Sequence, residues 1–470
     1  MASYTLENVQ SRSHRRPSID QIRSRASMEL EQPLLPPVDQ GRGAWLTLAS
    51  CCLIQLPVWG FSLVSGLFQE YFKTHDELEG GTGGLAIVRT TSTGILYLLS
   101  PISFTLLTRY PHMQRYCAPV GLVLSVGGSL LSSFAHTVWQ LIATQGILCG
   151  LGNGLVFSPT TLLLDQWFIR RKGLAYGIMW AGKSVCGVAL PFLTSAALDR
   201  YGARTTLRAW TVITLFTTSI ALPFIKPRVP PAVSTSPQPL NLAFLKLLTF
   251  WTLELGNIIQ SLGYFLPSTY LPSYSTTAAG LSETTGTFLL ALFNATSIVG
   301  GIVLGSMCDR FAVSNIMLLS SMGSGLSVLL FWGLSATATN HLSSSSEHLQ
   351  APTALALLTV FSITYGFFAG GFSSTWSGVL AKIKREMPSL ETGLVFGLLA
   401  GGRGIGSVIS GPLSEKLMQR GPVASVHGGV STGYATDYGA VILFTGVTAL
   451  LGGWSWFWSW MRKLGSDMQS

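Results

Sequence analysis

The sequence predicts an all-α polytopic membrane protein of about twelve transmembrane helices in two six-helix halves. Three observations carry this. Of 470 residues, 48% are apolar and only 10% are charged, against roughly 25% charged in soluble domains. So few charges could not cover a soluble surface. Glycine is abundant, with 51 residues, as in packed transmembrane helices. From Ala44 onward, apolar runs long enough to span alternate with short polar breaks, a span needing about 20 residues.

In chain order, residues 1–43 are polar and rich in Ser, Arg and Pro. They read as a disordered cytoplasmic tail without the apolar core of a cleavable signal. Arg15-Arg16-Pro17-Ser18 has the form of a basophilic kinase site. Glu31-Gln32-Pro33-Leu34-Leu35 falls one residue short of an acidic dileucine signal. Spans are expected at 44–69, 83–107, 116–136, 138–164, 173–197 and 208–225, the first half being 44–225. A Pro-rich cytoplasmic linker, 226–242, precedes spans at 243–272, 284–306, 314–336, 352–380, 392–413 and 437–461. The second half is thus 243–461, with a tail at 462–470. Six and six around a linker is the layout of two-repeat transporters.

Net charge is +9, which by itself would suit nucleic acid or anionic lipid. Its placement decides for lipid. Lys and Arg crowd the tail and the even-numbered connections, among them Arg109, Arg115, Arg170, Arg171, Lys172, Arg310, Lys384 and Arg385. The positive-inside rule then puts both termini in the cytosol, with the plasma membrane expected. Trp454, Trp456, Trp458 and Trp460 sit where an interfacial aromatic belt belongs. The sequon Asn294-Ala295-Thr296 falls inside a span and is rejected as a glycosylation site. Cys51, Cys52, Cys117, Cys149, Cys186 and Cys308 have no metal-ligand spacing and read as small core residues. With no phosphate loop, nucleophile elbow or metal cluster, an enzyme is not expected, nor any cofactor.

Gly305-Ser306-Met307-Cys308-Asp309-Arg310-Phe311 closes the eighth span. It resembles the loop signature G-x-x-x-D-R of the major facilitator fold, with Gly305 allowing close approach and Asp309 and Arg310 pairing with a neighbouring helix end. The counterpart Phe104-Thr105-Leu106-Leu107-Thr108-Arg109 lacks both Gly and Asp. Trp167-Phe168-Ile169-Arg170-Arg171-Lys172-Gly173-Leu174-Ala175-Tyr176-Gly177, with Ala181-Gly182, resembles the fifth-helix signature of the monocarboxylate transporter family, particularly its fungal branch. Gly66 to Phe72, Gln145 to Gly154, and Tyr264, Pro267, Tyr270, Leu271, Pro272 and Tyr274 are similar to its first, fourth and seventh helices. The resemblance implies alternating access around a central cavity, often proton-coupled, for small organic anions or related metabolites. Animal members carry a lysine in the first helix and an acid and an arginine in the eighth. The matching positions here are Leu63, Ser297 and Gly301, so that ionic machinery is not carried over.

Ionisable residues inside a span cost roughly 2.5–3.5 kcal/mol each. Lys183 lies eleven residues past Lys172, roughly 16 Å deep. Arg403 lies twelve past Glu391, roughly 18 Å deep. Both reach the midplane, where carriers bind substrate. Glu254 is the candidate coupling acid, or a partner that pairs with a basic group to order the halves. Arg89 either joins the site or snorkels outward. Three bases against one acid favour an anionic substrate, with Arg403 as a bidentate clamp and Lys183 as a point charge. Gly401, Gly402, Gly404 and Gly406 admit a bulky ligand or a partner helix. Gln55, Asn153 and Tyr365 are further candidate contacts, and Asp309, Arg310, Gly305 and Arg171 form the gating set. The leading reading is a secondary carrier of small, monocarboxylate-like organic anions or related metabolites, with a bilayer and a small-molecule substrate as partners, and protons where transport is coupled. The alternatives are an exporter or facilitator of a larger secondary metabolite, and a transporter-like membrane sensor.

Topology is directly testable. Protease tags at Met1 and Ser470 should be cut only after permeabilisation, and a tag at Ser345, in the connection His341–Gln350, in intact cells. External cleavage at either terminus overturns the orientation.

Overall fold

In the computed structural model, residues 36–75, 78, 85–228, 240–335, 347–423 and 432–467 are described. The kinase-like Arg15–Ser18, the Glu31–Leu35 segment, most of the 226–242 linker and most of His341–Gln350 lie outside them.

Every regular element among the described residues is helical. The first spans are α1, Gly41–His75, α2, Leu85–Arg109, and α3, Gln114–Ser132. Then comes α4, Cys149–Trp167, led in by Val138–Leu141 and a π-turn over Ile142–Leu148. The continuous helix Lys172–Ala221 is two rods, α5 (172–201) and α6 (203–221), folded at Gly202, where φ is 76°. That left-handed value suits glycine. The fold-back is visible in the bond from Trp167 Nε1 to the Lys226 carbonyl at 2.8 Å, which brings together residues flanking the two rods. The sequence reading placed a ten-residue connection here; the helices in fact run up to the turn itself.

The second set opens with α7, Leu248–Tyr264 continuing as Leu266–Thr277, and α8, Glu283–Cys308. Next are α9, Val313–Leu326, ending in a π-turn, and α10, Glu347–Gly370, continuing through a 3-10 turn as Trp376–Glu386. The last are α11, Thr392–Arg420, and α12, Gly439–Leu451 extended by Trp454–Asp467. Span α7 breaks at Phe265 because Pro267 has no N–H to offer the Gly263 carbonyl. The lipid face is marked by side chains such as Val123, 71% exposed, and Ile102, 66% exposed, a pattern that only hydrocarbon tolerates.

Two helix pairs knit the spans across the middle of the molecule. In α5 against α8, Gly173 and Gly305 meet backbone to backbone, as do Gly177 and Gly301. In α2 against α11, Gly397 and Gly401 lie on Pro101, and Gly404 lies on Tyr97. The Gly401–Gly406 stretch therefore admits partner helices: Gly402 faces Glu254 and Gly406 faces Ser261, both on α7. Close backbone approach of this kind replaces the hydrophobic effect as the driving force between helices in lipid.

A Cβ at Gly305 would strike the Gly173 carbonyl, whereas nothing lies within 4 Å of one at Gly66. Gly305→Val should therefore destabilise the protein by about 1–3 kcal/mol, and Gly66→Ala should leave it unchanged. Thermal unfolding in detergent compares the two, and equal midpoints would refute the tight α5–α8 contact.

Candidate functional site

A cavity of about 780 Å³ lies between the two sets of spans. It runs from the helix ends at Glu70, Glu283 and Glu415 inward to a floor of Trp59, Lys183, Tyr264 and Phe265. This mouth is on the face opposite Asp39, which accepts the N–H groups of Ile169, Arg170 and Arg171 at 2.9–3.1 Å on the far side.

On that far side the molecule is closed. Asp309 accepts the N–H groups of Gly173 at 2.6 Å and Leu174 at 3.0 Å, placing a carboxylate on the positive end of α5. Asp309 remains partly open to solvent; the part that is covered raises its carboxyl above the ordinary range, and the two amide bonds oppose this. Asp165, ion-paired with Lys172, accepts the Thr392 hydroxyl at 2.5 Å and so holds the start of α11. Thr108 stands where the first loop signature lacks its acid, and it lies beside Gly393. Arg310 and Arg171 are exposed; Gly305 is buried in the α5–α8 contact. Beneath these contacts Phe104, Phe157, Tyr176 and Trp376 all pack on Phe396 at centroid separations of 5.2–6.2 Å. Trp180 meets Trp376 edge-on at 5.9 Å. The rings form a plug from both sets of spans.

Lys183 occupies the floor, 9% exposed. Its Nζ lies 5.1–5.3 Å from the ring centroids of Trp59, Tyr264 and Phe265 and donates to the Tyr264 hydroxyl at 3.3 Å. Arg403 lies behind the same tyrosine, wholly buried, its guanidinium carbon 4.0 Å from the Tyr264 centroid and 5.7 Å from that of Trp376. The two predicted cations thus converge on Tyr264. Lys183 lines the cavity and Arg403 does not. Among the described residues neither makes an ion pair, and no nitrogen of Arg403 makes a well-formed hydrogen bond, although the Tyr97 and Tyr264 hydroxyls lie close to it.

The other candidates stand one layer back. Gln55 accepts the Trp59 indole N–H at 2.8 Å and orients that ring. Asn153 accepts Ser125 at 2.7 Å and donates to the Val58 carbonyl at 3.4 Å, tying α4 to α3 and α1. Tyr365 donates to the Tyr264 carbonyl at 3.3 Å and stacks on Phe293 and Phe361. Glu254 is buried against Gly402, with one carboxylate oxygen unpartnered. Arg89 does line the cavity, and it donates to Thr269 at 2.8 Å. Leu63 and Ser297, which resemble charged positions of animal monocarboxylate transporters, also line it but are neutral.

Sequence reasoning named Tyr264 only as part of a helix signature. It missed Tyr264 as the contact shared by the two cations, along with Trp59 and Phe265 as the walls around Lys183. The spacing of Tyr264 just before Pro267 was the available signal.

Known proteins fit this architecture. The chain is 26% identical over 438 residues to the MFS transporter asaE of Aspergillus flavus, covering 93% of this chain and 90% of that one. It is 30% identical over 393 residues to the MFS-type transporter pynF of Aspergillus niger, covering 82% and 83%. The Fujikurins efflux protein of Gibberella fujikuroi is 27% identical over 365 residues, covering 77% and 74%. The structure of the human organic anion transporter MFSD10 (TETRAN) shares the fold, with TM-score 0.62 at 12% identity over 89% of this chain and 100% of that one. The Major Facilitator Superfamily profile matches residues 58–411. With these matches and the central cavity between two sets of spans, the chain belongs to the Major Facilitator Superfamily and is a membrane transporter.

Proposed function

We propose that this transporter exports a bulky secondary metabolite by alternating access, and that the described conformation is the one open to the outside. The observation that carries the reading is the cavity: about 780 Å³ is the scale of a drug-sized ligand site, far more than a small monocarboxylate fills. Its floor of aromatic rings around one lysine suits a largely apolar cargo with a single polar or acidic group. The names of asaE, pynF and the Fujikurins efflux protein support a place among fungal transporters, one of which is named for efflux. This reading takes the place of the monocarboxylate-like one suggested by the sequence.

The charge pattern favours release through the mouth. Glu70, Glu283 and Glu415 line the outer wall and Lys183 the floor. An acidic cargo leaving past three carboxylates meets a field that opposes its return. With both termini in the cytosol, the plug and the Asp309 and Asp165 contacts seal the cytoplasmic side. Separating them while the mouth closes would turn the floor inward. Glu254 is the proposed carrier of a coupling proton, being buried, unpartnered at one oxygen and packed on the helix that bears Arg403.

Comparing metabolites in cells and medium, with and without the protein, tests the direction. Deletion should trap a compound inside the cells, and a compound that instead stays in the medium would mean import. Lys183→Met should weaken binding of an acidic cargo on the order of tenfold, with a neutral analogue unaffected, measured on purified protein. Equal losses for both would mean the lysine only holds the fold. Glu254→Gln should abolish pH-gradient-driven transport in vesicles while exchange continues, and unchanged gradient-driven transport would make Glu254 a packing residue.

A further inference from the structure

Arg403 poses the sharpest problem in the molecule. Its side chain is fully buried, and none of its three nitrogens makes a well-formed hydrogen bond. A guanidinium carries five N–H donors and no acceptor, and buried donors are almost always satisfied. Its surroundings are aromatic: Tyr264 and Trp376 present ring faces, and the Tyr97 and Tyr264 hydroxyls lie close to the guanidinium without meeting hydrogen-bond geometry and carry no negative charge for it. Cation–π contact with Tyr264 and Trp376 offsets part of the cost but leaves the planar fork unused. Glu254 does not supply the missing anion, since it packs at Gly402 without forming an ion pair with Arg403.

Tyr264 is what stands between this fork and the cavity. It touches Lys183 through its hydroxyl and Arg403 through its ring. It is the last residue of the first α7 segment, directly before the break at Phe265. Tyr365 holds its backbone carbonyl, so the phenol can swing while the main chain stays anchored.

We propose that Arg403 is a second, latent binding position for an oxyanion of the cargo, a carboxylate or acidic enol, which Tyr264 covers in the described conformation. This rests on the export reading and adds an order to it. In the state open toward the plug side, the acid lies on the Arg403 fork. As the plug closes, Tyr264 moves over Arg403 and the acid passes to Lys183, a point charge on the cavity floor. A bidentate clamp is exchanged for a weaker monodentate contact just before release.

The test uses purified full-length protein and two probes of the same shape, 2-naphthoate and its neutral amide, in equilibrium dialysis. Tyr264→Ala should raise the acid-to-amide affinity ratio about tenfold by uncovering the fork. Adding Arg403→Lys should erase that gain although the charge is kept. A ratio that Tyr264→Ala leaves unchanged, or that survives Arg403→Lys, overturns the proposal. If Tyr264→Ala does not purify as a monodisperse protein, Arg403→Lys alone decides. It must lower acid binding while amide binding holds, and an unchanged ratio overturns the proposal. Export is not read in this assay. A protein that keeps the Arg403-dependent preference but traps no metabolite on deletion refutes the export reading alone. Normal export together with an unchanged ratio in Arg403→Lys refutes the latent site alone.

Discussion

Two positive charges held in a low-dielectric interior with no carboxylate between them set the terms for everything around them. A buried charge is tolerated only with compensation, and Lys183 and Arg403 find theirs in aromatic faces. Trp59, Tyr264 and Phe265 surround the first; Tyr264 and Trp376 flank the second. The placement of these rings depends in turn on a supporting layer. Gln55 fixes the Trp59 indole, Asn257 accepts the Trp376 indole at 3.1 Å, and Tyr365 anchors the Tyr264 backbone. These three polar residues aim rings, and the rings offset part of the cost of burying the two cations.

The packing that holds this centre is uneven between its two seams. At α5–α8, four glycines bring backbones together and Asp309 caps α5 directly through its amides. At α2–α11, the equivalent loop residue is Thr108, and the acid that reaches α11 is Asp165, acting through a hydroxyl. A carboxylate on backbone amides gains from the helix dipole as well as from the bonds, so the two seams are closed by different chemistry.

Much of this was legible in the sequence. Apolar run lengths located the spans, because the bilayer fixes the length of an element. Counting residues from charged helix ends placed Lys183 and Arg403 at similar depths, because helix rise is constant. Helical depth, however, says nothing of azimuth. Arg403 turns toward Trp376 and Tyr264 and away from the cavity, and only the packing of α11 on α2 and α7 decides that. The glycines beside it admit helices, a choice that single-sequence spacing leaves open. Tyr264 was inconspicuous because its role comes from a proline three residues on and from two cations distant in sequence. Gly202 was read as part of a loop because its function is a single backbone angle.

The aromatic plug also has an electrical consequence. Phe104, Phe157 and Phe396 offer no hydroxyl, amide or carboxylate along their contact, and beside them the Tyr176 hydroxyl and the Trp376 indole N–H are already bonded to the Thr161 carbonyl and Asn257. A file of water molecules needs such groups as footholds to persist in hydrocarbon-like surroundings. Without footholds there is no wire along which protons could hop. Closed at this plug, the carrier would act as an insulator, which would let a cell hold many copies of it in one membrane without short-circuiting the ion gradients stored across that membrane.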